Sequence, residues 1–150
     1  MPISIVGSDG PVGSLIATGR FGRRYHAEWA GEVWAFLAGR VPARCWWVTR
    51  SNAPGVRILE ANRSGFRRRR IQLMSGIVLD WRQRGWSGSR YELSGPRARL
   101  LLSARNLGDT LRWRGRVVLH EIPPDLGEAM PLLVLFSVFL IFNSSELIFA

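Results

Sequence analysis

The sequence contains no lysine, a single cysteine and only two histidines. The single cysteine, Cys45, excludes an intramolecular disulfide and any zinc site built from several cysteines. His26 and His120 are far apart in the chain, neither has an acidic residue at a metal-ligand spacing, and no hydrolase, metalloprotease or Walker-type motif occurs. We therefore predict a protein that is not an enzyme and that uses no metal and no cofactor. We interpret Cys45 as a buried small hydrophobe, with a reactive thiol as the alternative.

The N-terminal residues lack the basic segment and the long apolar segment of a signal peptide. The glycine-rich stretch at 7–14 lacks the lysine and the helix that follow in a phosphate-binding loop, so we interpret it as a turn. We expect a cytoplasmic protein, or one that is peripheral at a membrane.

Negative charge is scarce as well. Eleven acidic residues face 21 basic residues, all of them arginine, and the formal net charge is +10. Such a balance favours anionic partners, either nucleic acid or an acidic membrane surface.

Apolar residues are abundant, at 47% of a chain with seven tryptophans and seven phenylalanines. Before residue 123 they form short runs that often alternate with polar residues and that are separated by turn-forming residues. This spacing predicts many antiparallel strands within one domain, 1–150. The candidate strands are 12–17, 20–28, 32–38, 43–50, 56–61, 69–74, 76–82, 90–94, 98–104, 110–114 and 116–122.

The character of the sequence changes after Pro123 and Pro124. Residues 132–142 are apolar except for Ser137, and Pro131 suits the first position of a helix, which we predict over about 131–143. Because the segment is apolar on all sides, protein or lipid must surround it. Its length is short for a bilayer, which favours a buried core helix over the alternative of a tail-anchored, single-span membrane protein.

The order of many short strands and then a wholly apolar helix resembles the tubby C-terminal superfamily, which includes phospholipid scramblases and LURP-one-related proteins. The likeness is carried by RYEL at 90–93, VVLHEIPP at 117–124 and PLLVLFSVFLIF at 131–142. The resemblance implies a roughly twelve-stranded, closed or nearly closed antiparallel barrel around the C-terminal helix. It also implies that a basic patch on the barrel binds phosphoinositides or other anionic phospholipid headgroups.

The densest basic cluster follows the turn predicted at 62–65. If Ile71 and Leu73 point inward, alternation sends Arg68 and Arg70 outward. A second basic group lies at 112–116. The predicted anion-binding residues are Arg63, Arg67, Arg68, Arg69, Arg70, Arg112 and Arg114.

Arginine pairs well with phosphate oxygens. We therefore expect a binding module for anionic phospholipid headgroups at a membrane surface. The alternative is a nucleic-acid-binding basic β domain, because both partners are recognised through phosphate.

Overall fold

A computed structural model describes residues 3–7, 10–18, 24–29, 31–39, 45–84, 90–106 and 115–145. The strands and the helix have the following bounds: β1 (Ile3–Gly7), β2 (Gly10–Ala17), β3 (Arg24–Trp29), β4 (Glu32–Ala38), β5 (Cys45–Arg50), β6 (Ala53–Gly65), β7 (Arg68–Leu73), β8 (Val78–Arg84), β9 (Arg90–Ser94), β10 (Leu100–Asn106), β11 (Gly115–Leu119) and α1 (Met130–Ser145).

The protein is mainly β, and each strand lies beside its neighbours in the sequence. Strands β2 to β11 form a ten-stranded antiparallel sheet, and β1 pairs with β2. The predicted mainly β class, the antiparallel pairing and the C-terminal helix are therefore confirmed. Within the described residues the sheet is not closed, so a twelve-stranded barrel is not shown.

The chain divides into two compact units. One comprises Met1–Ala61 with Ala129–Ala150, and the other comprises Asn62–Glu128. The single domain over 1–150 stays a prediction from the sequence.

The predicted strands agree with the observed ones in number more than in their ends. The strand β1 was not predicted, β6 is longer at both ends than the predicted strand 56–61, and the predicted strand 110–114 lies outside the described residues. The predicted turn at 62–65 is wrong, because these residues continue β6 as far as Gly65 and the turn falls on Phe66 and Arg67. Cross-strand pairing here overrides the turn preference of asparagine and glycine.

Two of the turns depend on glycine. Gly31, before β4, has a φ of +74°, and Gly76, between β7 and β8, has a φ of +94°. Both values lie in the left-handed region, which side chains with a Cβ rarely adopt. The amide of Gly76 donates to the carbonyl of Leu73, and the amide of Leu73 donates to the carbonyl of Ile77, each at 2.9 Å.

The helix α1 is buried on all sides. From Leu132 to Ile141 every residue is buried, which confirms the predicted core helix, although it extends two residues beyond the expected end. Within its own unit α1 packs on β2 and β4. The ring of Phe139 lies 5.7 Å from that of Tyr25 and 5.8 Å from that of Phe36.

No helix among the described residues is long and apolar enough to cross a bilayer.

Candidate anion-binding surface

The hairpin formed by β6 and β7 carries the densest cluster of predicted site residues. In β7, Arg68, Arg70 and Gln72 are exposed, whereas Ile71 and Leu73 are buried. This alternation is the one predicted from the sequence, and it follows from the two-residue period of a strand. Arg68 and Arg70 therefore share the outer face of the sheet.

The hairpin tip presents an aromatic side chain that sequence analysis missed. Phe66 is 86% exposed, and the guanidinium carbon of Arg67 lies 5.1 Å from the centre of its ring. Arg67 has a φ of 54°, in the left-handed region that an arginine rarely adopts. The signal in the sequence was a lone phenylalanine beside arginines, which is ambiguous until the turn is placed.

Arg69 departs from the prediction. We predicted it as an anion-binding residue, but it lies in β7 on the same face as Ile71 and is only 6% exposed. Burial, followed by the positive charge of Arg63, lowers the pKa of Arg69 to about 9, while Tyr91 acts in the opposite direction. Because β7 begins at Arg68, Arg69 lies inside the strand and not in the turn, and alternation gives it the same inward direction as Ile71 and Leu73. It is therefore not part of the exposed cluster.

The exposed arginines of this face differ in their partners. Asp80 accepts from Arg82 at 2.7 Å and from Arg68 at 3.4 Å. Among the described residues, no carboxylate forms an ion pair with Arg63 or Arg70. These two arginines therefore keep their hydrogen-bonding capacity for an external anion.

An open groove of about 380 Å³ brings these two arginines together. It is lined by Asn62, Arg63, Ser64, Arg70 and Gln72. Two guanidinium groups, two amides and a hydroxyl are all donors suited to phosphate oxygens. Arg63 and Arg70, both predicted as site residues, therefore line one groove. Its other lining residues, Asn62, Ser64 and Gln72, were not predicted from the sequence.

The second predicted cluster is only partly described. Arg112 and Arg114 lie outside the described residues, whereas Arg116, in β11, is exposed. Arg82 and Arg84 lie in β8, where Arg84 donates to Glu92 at 2.7 Å.

Among the described residues no three histidine, cysteine, aspartate or glutamate side chains are grouped so that they could hold a metal ion. The ring Nε2 of His120 lies 3.0 Å from the hydroxyl of Ser103 in an exposed position.

Cys45, in the first unit, lies close to two charged side chains. Its sulfur is 3.7 Å from Glu60 Oε1 and 3.7 Å from Arg57 Nη1, and Arg57 also covers the ring of Trp47 at 4.2 Å. The side chain is half-buried, and this burial raises the pKa of the thiol, with the negative charge of Glu60 acting in the same direction. A raised pKa disfavours the thiolate, which is the nucleophilic form.

We accordingly expect Cys45 to react with iodoacetamide at pH 8 more slowly than free cysteine does. The variant Glu60→Gln removes a negative charge and should increase the rate, because the thiolate is then easier to form. The matched control is Glu32→Gln, whose carboxylate pairs with Arg50 at 3.1 Å and does not contact the thiol. A Glu60→Gln rate no higher than that of the wild type would contradict this assignment; the readout is mass spectrometry of the intact chain.

Comparison of the chain with protein-family models, curated proteins and solved structures gives no significant match. The resemblance to the tubby superfamily therefore stays a prediction from the sequence.

Proposed function

We propose that this protein binds reversibly to anionic membrane surfaces through the hairpin of β6 and β7. The observation that carries the proposal is the 86% exposure of Phe66 at a hairpin tip flanked by Arg63, Arg67 and Arg68. An apolar ring next to basic side chains suits the boundary between lipid headgroups and acyl chains.

Phe66 supplies the apolar part of the attachment. Transfer of a phenylalanine side chain out of water is worth roughly 1.5–3 kcal/mol. A folded protein gains nothing by leaving such a ring exposed at a tip, whereas a membrane would cover it. Its neighbours in the hairpin then lie at the depth of the phosphate groups.

The arginines supply the electrostatic part. Each arginine close to an acidic leaflet contributes about 1 kcal/mol, so several together suffice for reversible attachment. The groove between Arg63 and Arg70 can accept the oxygens of one headgroup, since its other lining residues also donate hydrogen bonds. An anionic phospholipid headgroup, such as that of a phosphoinositide, fits this chemistry.

We further propose that the sheet belongs to a barrel of about twelve strands around α1, as in the tubby superfamily. The support is the burial of the whole stretch from Leu132 to Ile141, which includes every side of the helix. A helix without a polar face needs apolar partners in all directions.

Vesicle flotation of the full chain tests the membrane function. We expect recovery with phosphatidylcholine vesicles to rise as phosphatidylserine is added, and to fall with increasing salt. Phe66→Ala should lower the partition coefficient roughly 10- to 100-fold, which corresponds to the apolar transfer energy of the ring. The folded state should be unaffected, because the side chain is at the surface.

The matched control is Met74→Ala, since Met74 is an apolar residue that is 67% exposed at the other end of β7. Its partition coefficient should stay at the wild-type value. Equal recovery of the wild type on neutral and acidic vesicles would overturn the proposal. Binding of a labelled oligonucleotide at low salt without any flotation would instead support the nucleic-acid alternative.

A further inference from the structure

Four arginines form a straight row across the second unit. The strand register sets Arg84 opposite Arg90, Arg90 opposite Arg105, and Arg105 opposite Arg116. All four are exposed, and their inward neighbours Tyr91 and Ala104 are buried. Because paired strands lie about 4.8 Å apart, the row extends over roughly 14 Å of the outer face.

Such a row is unfavourable for the fold on its own. Like charges that are directly opposite on neighbouring strands repel each other. Glu92 pairs with Arg84, but Arg90, Arg105 and Arg116 form no ion pair with any described residue. Several other arginines are paired with acids: Arg50 pairs with Glu32, Arg57 with Glu60, Arg82 with Asp80, and Arg99 with Glu121. Arg63 and Arg70 form no ion pair with a described residue either, so the distinctive feature of the row is that its arginines lie directly opposite one another on neighbouring strands.

The row lies at the same end of the strands as the hairpin tip. The amide of Gln83 donates to the carbonyl of Arg67 at 2.9 Å, which places Arg67 beside the residue that precedes Arg84. Phe66 is thus adjacent to the first arginine of the row. We name this end of the strands the basic edge and define it by Phe66, Arg84, Arg90, Arg105 and Arg116.

We infer that the basic edge is the surface that faces the membrane, with the arginine row lying along the lipid phosphates while Phe66 enters the interface. This inference rests on the proposed membrane function. It adds the orientation of the second unit on the membrane and a row of lipid contacts separate from the groove between Arg63 and Arg70. Lipid is favoured over nucleic acid because an exposed apolar ring lies at the same end as the charges.

The test neutralises the middle of the row with the double variant Arg90→Gln/Arg105→Gln. Binding is measured with lipid vesicles of phosphatidylserine and phosphatidylcholine in a ratio of about one to three. Each arginine at an acidic surface contributes roughly fivefold to binding, so we expect the partition coefficient to fall about 25-fold. The melting temperature should be unchanged or higher, because the change relieves repulsion between like charges.

The matched control is Arg97→Gln/Arg99→Gln, which removes the same charge from the connection between β9 and β10. That connection is at the opposite end of these strands from the arginine row. At about 3.4 Å per residue it lies roughly 15 Å or more from the row. This distance exceeds the electrostatic screening length of about 10 Å in 0.1 M salt. We expect its partition coefficient to stay within about twofold of the wild-type value.

The outcomes separate the inference from the proposed function. If the wild type floats with acidic vesicles and the two double variants lose equal affinity, the basic edge is not the contact surface, although the membrane function stands. If the row variant keeps its vesicle affinity but loses affinity for a labelled single-stranded oligonucleotide, the row is a nucleic-acid site and the inference is overturned. If the wild type does not float, the proposed function fails and the inference fails with it.

Discussion

Leu140→Asp is expected to unfold the chain. Leu140 is fully buried in α1, and the residues on both sides of it, Phe139 and Ile141, are buried as well. A carboxylate at this position would be removed from water without a described cationic partner in the helix, at a cost of several kcal/mol. A domain with a stability of about 5–15 kcal/mol cannot tolerate much of this loss. Circular dichroism should show no cooperative melting transition.

Two further variants at the same position keep the test quantitative. Leu140→Ala should lower the free energy of unfolding by about 2–5 kcal/mol, because it removes buried methyl groups and leaves a cavity. Leu140→Met conserves volume and apolarity and should cost less than about 1.5 kcal/mol. A Leu140→Asp protein that melts like the wild type would show that α1 is not enclosed in the fold.

Replacing the buried Arg69 with methionine is expected to stabilise the protein. The side chain is buried, and burial together with the charge of Arg63 lowers its pKa to about 9, so the fold carries the cost of a desolvated cation. Desolvation of one ion costs several kcal/mol, and methionine has no charge to desolvate, so we expect the free energy of unfolding to rise by about 1–4 kcal/mol. Urea denaturation at pH 7 would measure the gain.

The gain should depend on pH in a defined direction. In the unfolded chain the guanidinium keeps its ordinary, much higher pKa, so only the folded state releases the proton as the pH rises above about 9. Below that pH the cation is present in both states and the penalty is at its full value. The advantage of Arg69→Met over the wild type should therefore be constant from pH 6 to 8 and should diminish above about pH 9.

Arg68→Met is the matched control for the stability measurement and for its pH dependence. Arg68 is exposed and pairs with Asp80 at 3.4 Å, so its loss should change stability by less than about 1 kcal/mol and in the destabilising direction. If Arg69→Met were instead strongly destabilising, hydrogen bonds of the buried guanidinium would outweigh its desolvation cost.

Local patterns were sufficient for several features of this protein. Alternation of Ile71 and Leu73 with polar residues predicted that Arg68 and Arg70 point outward, since parity along a strand is a property of consecutive residues. The unbroken apolar run predicted α1 and its burial because no polar side chain could face water. The same alternation turns Arg69 inward with Ile71, and its prediction as an exposed anion-binding residue was wrong because the turn ends before Arg68 and leaves Arg69 inside the strand.

The sequence by itself determined the mainly β class, the C-terminal helix and the excess of positive charge, because these depend on composition and on short-range periodicity. Only the tertiary structure decided that Phe66 occupies a hairpin tip, that Arg63 and Arg70 border one groove, and that Arg84, Arg90, Arg105 and Arg116 stand in line. The reason is physical. Strand register is set by pairing between segments that are distant in the chain, and a slip of one residue would place those arginines on the opposite face of the sheet.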